Sequence, residues 1–296
     1  MDLAAVVPDL IAKRRTALGP LSPAIPLVAL GAAVFYLYYP VLVDLVSQWR
    51  ADENYSHGFL IPIVSAYLIW QRRERLQHCL VKGSAWGYAV LLVGLILLII
   101  SQAGTFGYPA RFSLLVVFTG LTLFMGGPDV LRVVAFPLAY LLFMIPLPAP
   151  ALNQITFPLQ LQAARLATGT LDVLNVPVLR EGNIIDLPSM RLEVAEACSG
   201  IRSLISLLAL AVIYAYFTQT KWGPRLALAL SAIPIALVAN AARVTLTGVL
   251  VETVDPRVAL GFYHTFSGVV IFGLAFGLLA LEALAFSRLT GQGAKG

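Results

Sequence analysis

The residues with the clearest potential for chemistry lie in the segment Glu196-Ala-Cys-Ser-Gly-Ile-Arg202. Cys198 stands where a polar stretch gives way to a long apolar run, which places it at the start of a predicted membrane helix. The N-terminus of a helix stabilises anions, and the charge of Arg202 one turn later would also favour a thiolate. Ser199 fits either an accessible nucleophile segment or a plain N-cap. The alternative for Cys198 is an inert buried thiol, the usual state of an isolated cysteine.

Two more polar residues fall in or beside the next two apolar runs. Arg243, in Asn240-Ala-Ala-Arg-Val244, lies about 12 Å below the outer end of its predicted span, at roughly 1.5 Å per residue. A charge at that depth usually faces a cavity or a partner, although it can also snorkel or pair with Asn240 for structure alone. His264 begins the last apolar run on the same predicted side as Cys198, as an acid/base or as an interfacial anchor.

Together these residues predict a thiol enzyme at the edge of a bilayer. The thiol of Cys198 would attack a carbonyl, the imidazole of His264 would transfer the proton, and the guanidinium of Arg243 would stabilise the oxyanion. His57 lies on the same predicted side, where it could line the site, bind substrate or only anchor its loop. The sequence has neither an HExxH motif nor paired CxxC motifs, so we expect no metal and no cofactor.

Composition sets the environment in which this chemistry would take place. Of the 296 residues, 59% are hydrophobic and 12% are charged, whereas soluble proteins average about 25% charged residues. The chain is therefore predicted to be an integral membrane protein. Its net charge of +5 does not indicate nucleic-acid binding, because the basic residues flank apolar runs as membrane topology requires. Two cysteines are too few for a disulfide framework.

The fold class predicted is an all-α polytopic membrane protein, a single integral membrane domain over residues 1–296. Since a span needs roughly 20 apolar residues, eight candidate spans are predicted at 24–46, 58–70, 86–103, 111–126, 130–146, 201–218, 224–251 and 263–286. The second is short enough to be tilted or partly re-entrant. The fourth and fifth are separated only by Gly126-Gly-Pro-Asp129, which predicts a tight helical hairpin.

Lysine and arginine predict the orientation of these spans. If the N-terminus is cytoplasmic, the short outer loops hold only Arg50, Arg111 and Arg257. The inner segments then hold most of the basic residues: Lys13, Arg14, Arg15, Arg72, Arg73, Arg75, Lys82, Arg132, Lys221, Arg225, Arg288 and Lys295. Both termini are therefore predicted inside, and residues 147–200 outside.

The segment 147–200 is predicted to be an insertion that leads to Cys198. Residues 151–175 form a predicted amphipathic helix lying on the membrane surface, with one apolar face made by Ile155, Leu159, Leu166 and Leu174. Turn residues then separate three short predicted strands at 176–179, 183–187 and 191–195. This small β element would deliver Cys198 to the top of the sixth span.

At these residues the chain resembles the exosortase/archaeosortase family of membrane transpeptidases. The resemblance rests on Glu196-Ala-Cys-Ser-Gly-Ile-Arg-Ser203, Asn240-Ala-Ala-Arg-Val244, His264 and Asn54-Tyr-Ser-His-Gly-Phe-Leu-Ile-Pro62, and it covers residues 49–286. It implies Cys198 as nucleophile, Arg243 as oxyanion or substrate-carboxylate partner and His264 as acid/base. Residues with a substrate-binding or supporting role would be Arg202, Asn240, His57 and Ser199.

The resemblance also implies a substrate and a location. Exosortases are thought to cleave exported proteins that end in a Pro-Glu-Pro motif, a membrane helix and a basic cluster. The motif would be cut at the periplasmic face of a bacterial inner membrane, and the product passed from a thioester to an unknown acceptor in connection with exopolysaccharide production. The expected partners are thus these tailed proteins, the acceptor and the bilayer. The motif carboxylate needs a cation, for which Arg243, Arg202 and Arg191 are candidates.

Three other functions fit the same sequence. A polytopic transporter of lipid or polysaccharide precursors would line its pathway with Arg243 and His264. A hydrolase or acyltransferase would form the same thioester and differ only in the acceptor. A non-catalytic assembly factor for an extracellular polymer would use none of this chemistry. A reactive Cys198 accessible from outside distinguishes the enzymes from the other two.

Overall fold

The structure is a computed structural model that describes residues 24–104, 107–194, 200–254 and 262–289. Within the helices, the side chains of residue 24, residues 200–202 and residues 262–265 lie outside this description. The chain divides into two compact units, Met1–Ser47 and Gln48–Gly296. The described part of the first unit belongs to helix α1, Ala24–Ala51. Within it, the rings of Phe35 and Tyr39 pack edge to face with their centroids 5.9 Å apart.

The second unit is built almost entirely from helices. Short 3₁₀ helices at Glu53–Phe59 and Leu141–Met144 precede and follow a group of α-helices. In chain order these are α2 Leu60–Gln71, α3 Arg73–Gln77, α4 Trp86–Ala103 and α5 Tyr108–Tyr140. The remaining helices are α6 Ala149–Val173, α7 Gly200–Thr218, α8 Trp222–Thr253 and α9 Phe262–Leu289.

Helices α4 and α5 pack closely because glycines line their contact. A Cβ on Gly94 would stand 2.6 Å from the side chain of Val117, and one on Gly120 would stand 2.8 Å from the backbone of Leu91. Small residues of this kind allow two helix backbones to approach inside a membrane. Midway along α5, Gly127 adopts φ 83° and ψ −176°, which breaks the helix into two segments. The break falls within the predicted turn Gly126-Gly-Pro-Asp129, and the helical hairpin itself stays a prediction.

Basic residues gather at one end of the bundle, as the orientation prediction requires. The Arg72 guanidinium donates hydrogen bonds to the Val133 carbonyl and the Tyr216 hydroxyl. Arg225 lies 5.1 Å from the Tyr216 ring and donates to the Gln219 carbonyl at 2.6 Å. This Arg72–Tyr216–Arg225 cluster joins α2, α5, α7 and α8. Which side of the membrane it faces stays a prediction.

Helix α6 packs lengthwise along α8 through small side chains. Thr156 and Gln160 line a cavity with Ile233, whereas Leu171 lies opposite Gly248. The two helices thus run in the same direction over roughly 22 Å of α8, at about 1.5 Å per residue. The buried face of α6 consists of Thr156, Ala163, Ala164, Ala167 and Leu171.

The predicted apolar face of α6 is directed away from α8, and its contact with the membrane surface stays a prediction. Ile155, Leu166 and Leu174 are 57%, 46% and 53% exposed, so the predicted face is not the packed one. Alanines form the contact because their small side chains let the α6 and α8 backbones approach, whereas the larger side chains are directed outward. This arrangement makes α6 part of the bundle.

Three short antiparallel strands follow α6, as predicted. Helix α6 ends with Asn175 at φ 57°, where the Val176 and Asn175 amides donate to the Leu171 and Asp172 carbonyls and reverse the chain. The strands β1 Leu179–Glu181, β2 Ile184–Asp186 and β3 Arg191–Glu193 then form a sheet in the order β1-β2-β3. The inner face of the sheet contributes Ile185, Leu187, Leu192 and Val194 to a core shared with α6 and α8.

The described helices only partly match the eight predicted spans. Five are long and apolar enough to cross a bilayer: Ile25–Ala51, Trp86–Ala103, Tyr108–Met144, Trp222–Thr253 and Phe266–Leu289. The Tyr108–Met144 stretch contains the break at Gly127 and so covers two predicted spans. The predicted spans 58–70 and 201–218 correspond to the shorter helices α2 and α7. The chain is a multi-pass membrane protein, and the number of spans stays a prediction.

We expect Gly127→Ala to destabilise the protein by about 1–3 kcal/mol, because its φ and ψ are open essentially to glycine only. The added Cβ would also overlap the Lys82 carbonyl oxygen. The matched control is Gly169→Ala in α6, which has open space around its Cβ position and should leave stability unchanged or raised. Thermal unfolding in detergent measures both, and equal midpoints for the two variants would contradict the role assigned to Gly127.

Candidate active site

Arg243 lies between α8 and α9, where a glycine leaves room for its guanidinium. The side chain is 7% exposed. A Cβ on Gly268 of α9 would stand 3.1 Å from Nη2 and 3.2 Å from Cζ of Arg243. The planar guanidinium therefore rests directly against the α9 backbone side of Gly268. An added Cβ at this position would require the guanidinium to give way by a few tenths of an ångström.

Asn240 lies one turn before Arg243 and lines two small cavities. The first, of about 30 Å³, is bounded by α6, α7 and α8 and includes Gln160 and Leu204. The second, of about 20 Å³, lies between α7, α8 and α9 and includes Ser203, Arg243 and Gly268. Asn240 Oδ1 is buried and accepts no hydrogen bond from the described residues. The described polar side chains therefore line a narrow crevice, in which the Asn240 Oδ1 atom is a hydrogen-bond acceptor that no described donor satisfies.

His57 is joined to the helix that follows the cysteine motif. Its Nδ1 lies 3.3 Å from the Ser206 hydroxyl of α7, and Nε2 is buried without a hydrogen-bond partner among the described residues. The Asn54 motif, although far from α7 in sequence, thus contacts this helix through His57.

Local hydrogen bonds hold the Glu53–Phe59 turn in place. The Asp52 carboxylate caps it by accepting from the Asn54 amide at 2.9 Å. The Trp49 indole N–H donates to the Met144 carbonyl at 2.8 Å, and the indole ring lies where a Cβ on Gly58 would be. The Tyr55 hydroxyl accepts from the Leu147 amide at 3.1 Å. These bonds fix the height and rotation of His57 beside α7.

Burial controls the protonation of this turn. Desolvation lowers the pKa of His57 below its ordinary value, and the nearby carbonyls of Phe143 and Asn54 only partly offset this. His57 is therefore neutral at neutral pH, with one ring nitrogen able to accept a proton. Desolvation likewise raises the pKa of Tyr55, against the lowering effect of its bond to Leu147.

The small sheet carries its own charge network. Arg191 Nε lies 2.8 Å from the Asp186 carboxylate, and its Nη2 lies 3.6 Å from the Glu181 carboxylate. These pairs occupy the Arg191 guanidinium, which disfavours it as the cation for a substrate carboxylate. The Glu252 carboxylate at the end of α8 accepts from the Ser189 amide at 3.1 Å and from its hydroxyl. The sheet is therefore tied to α8 as well as to α6.

The predicted site residues fall into three groups in the structure. Arg243, Asn240 and His57 are described, with the contacts given above. Arg202 and His264 lie within α7 and α9 by their backbone, and their side chains are outside the described residues. Cys198 and Ser199 lie outside the described residues altogether. Within the described ranges, no three His, Cys, Asp or Glu side chains cluster as metal ligands would.

Sequence reasoning missed three residues that shape this region. Gly268 provides space for Arg243, Ser203 lines the crevice with Asn240, and Ser206 contacts His57. A signal was available for each: the serines are polar positions in an apolar helix, and Gly268 follows His264 by one helical turn. Glycine in a membrane helix often marks a close approach to a neighbour.

The fold and these contacts define a polytopic membrane protein in which several helices bring arginine, asparagine, histidine and serine side chains into a largely apolar bundle. A family model described as transmembrane exosortase matches residues 49–281, well over half of the chain. The chain therefore belongs to the transmembrane exosortase family, which implies a sorting-transpeptidase role. No curated protein and no solved structure matches it significantly.

The depressed pKa of His57 predicts a pH-dependent stability. The unfolded chain protonates this histidine near pH 6.5, whereas the folded protein resists protonation to lower pH. The stability is thus fully present above pH 6.5 and is lost as the pH falls through the folded-state pKa. Unfolding midpoints in detergent between pH 7.5 and about pH 5 should fall for the wild type and change less for His57→Gln.

His78→Gln supplies the control for this measurement, because His78 is exposed. It should keep the wild-type slope of stability against pH. Equal slopes for the wild type and His57→Gln would show that His57 does not resist protonation in the folded state.

Proposed function

We propose that this protein is a membrane cysteine transpeptidase that cleaves Pro-Glu-Pro-type C-terminal sorting tails and transfers the product to an acceptor. Cys198 is the nucleophile, His264 the acid/base and Arg243 the group that stabilises the oxyanion or holds the motif carboxylate. Asn240, Arg202, Ser199 and His57 support the site. The site faces the periplasm of a bacterial inner membrane, with both termini in the cytoplasm.

The observation that carries the proposal is the placement of Arg243. A buried guanidinium is costly in an apolar bundle, and membrane-embedded charges of this kind mark functional sites by default. Here Gly268 on α9 leaves space for the guanidinium. The same helix begins at Phe262, two residues before His264. The family match adds the reaction class.

The reaction balances with these three groups. His264 first takes the proton of the Cys198 thiol. The resulting thiolate attacks the scissile carbonyl carbon, and the tetrahedral oxyanion forms where Arg243 can stabilise it. The C–N bond then breaks, His264 protonates the departing amine, and a thioester remains on Cys198. An acceptor amine attacks the thioester, loses a proton to His264 and expels the thiolate.

Cys198→Ala tests the proposal directly. We expect co-expression with a protein that ends in a Pro-Glu-Pro motif, a membrane helix and a basic cluster to yield a shortened product only with the wild type. Mass spectrometry of the new C-terminus would locate the cut and identify any attached acceptor. Equal processing by Cys198→Ala would exclude the thioester, and failure of the wild type to process any tailed protein would exclude this substrate class.

Gly268→Ala tests the role of Arg243 without removing it. The new Cβ would press on the guanidinium, so we expect processing to fall by about tenfold or more, as for a displaced oxyanion donor. Gly273→Ala on the same helix has open space around its Cβ position and is the matched control. If both variants process substrate at the wild-type rate, the position of Arg243 against α9 does not matter for the reaction.

A further inference from the structure

The strand β3 leaves one side of its backbone without a partner among the described residues. In the sheet order β1-β2-β3, β3 pairs with β2 alone. Its outward side chains, Arg191 and Glu193, are exposed, whereas Leu192 is buried. An exposed strand edge of this kind is a ready template for another extended chain.

The hydrogen bonds of the sheet show which groups this edge offers. The Val194 amide donates to the Asn183 carbonyl, and the Leu187 amide donates to the Met190 carbonyl. Since bonded and non-bonded residues alternate along an antiparallel strand, positions 190, 192 and 194 face β2. The N–H and C=O groups of Arg191 and Glu193 therefore point to the open edge.

We propose that the β3 edge is the recognition surface for the substrate's sorting segment, which adds as an extended strand beside Arg191–Glu193. This inference rests on the proposed function. β3 ends at Glu193, five residues before Cys198, which keeps the nucleophile within about 18 Å of the end of the strand. Backbone pairing supplies affinity and alternate side chains supply specificity, as in other β-strand additions.

The direction of the substrate makes the added strand parallel to β3. Its exported part lies outside and its membrane helix follows the motif, so its chain runs towards the membrane. β3 likewise precedes α7, the predicted sixth span, along the chain. In a paired strand only every second residue must offer its N–H to the partner. A Pro-Glu-Pro segment meets this requirement. Both prolines occupy positions whose N–H would point away from β3, and the central glutamate has an N–H that can bond to the β3 edge.

The same pairing assigns the motif carboxylate to one face of the sheet. If the proline side chains lie on the same face of the sheet as those of Arg191 and Glu193, the glutamate side chain lies on the face of Leu192 and Val194. That inner face packs with Ala241 and Val244, which flank Arg243 on α8. The motif carboxylate is thereby directed to the α8 side of the sheet and away from Arg191.

Proline substitution of Glu193 tests the edge. Glu193→Pro removes one outward N–H and keeps the bonds from β3 to β2, a replacement that edge strands tolerate. We expect it to lower processing about tenfold below that of Glu193→Ala, which keeps the N–H. Arg180 faces the opposite, free edge of β1 by the same alternation, so Arg180→Pro is the matched control and should process at the wild-type rate.

A proline scan of the substrate gives a second, independent readout. Single proline substitutions at successive positions of the sorting segment should block processing at every second position. Substitutions at the positions in between should be tolerated. Folding of Glu193→Pro is checked by labelling Cys198 from outside with a maleimide in a Cys79→Ser background.

These outcomes separate the edge from the reaction. No processing by the wild type would reject the proposed function itself. Wild-type processing by Glu193→Pro, or a proline scan without a period of two, would reject the edge and leave the reaction standing.

Discussion

The arrangement of this bundle depends on one buried guanidinium. Removing an arginine from water costs several kcal/mol unless polar partners and space compensate. Arg243 obtains its space from Gly268, which brings the α9 backbone against the guanidinium on α8. Gly268 lies four residues after His264 on the same helix, α9, which begins at Phe262. A glycine thus links the placement of two proposed catalytic groups.

The opposite side of α8 supports the three-stranded sheet that is proposed to recognise the substrate. Ala241 and Val244 flank Arg243 in sequence and pack with Leu171 of α6 and with Val194 after β3. Alanines on α6 allow this close packing, and the Schellman-type turn at Asn175 sends the chain into the sheet. One stretch of α8 therefore contacts the crevice proposed as the active site on one side and supports the sheet on the other. Movement of α8 would disturb both.

The sequence predicts much of this arrangement through period and charge. The apolar runs, the break near Gly127, the three strands and the gathering of Arg72 and Arg225 at one end all follow from such patterns. The packed face of α6 does not, because hydropathy selects Ile155 and Leu166 whereas close helix packing selects alanine. The contact between His57 and Ser206 could not be foreseen either, since it joins segments that are distant in sequence. Membership of the exosortase family was readable from the motifs themselves.

An apolar layer separates the two polar levels of the bundle. The crevice lined by Ser203, Asn240 and Arg243 lies at one level, and the Arg72–Tyr216–Arg225 cluster lies at the other. Between them α7, α8 and α9 close on small and branched side chains: Leu207, Ala211, Ala215, Leu228, Ala232, Ala275 and Leu279. A transporter has to open such a layer on every cycle, at the cost of the apolar area buried there. An enzyme that receives its substrate from one side keeps the layer closed throughout. The packing seen here is the one that a one-sided catalyst needs at every step of its reaction.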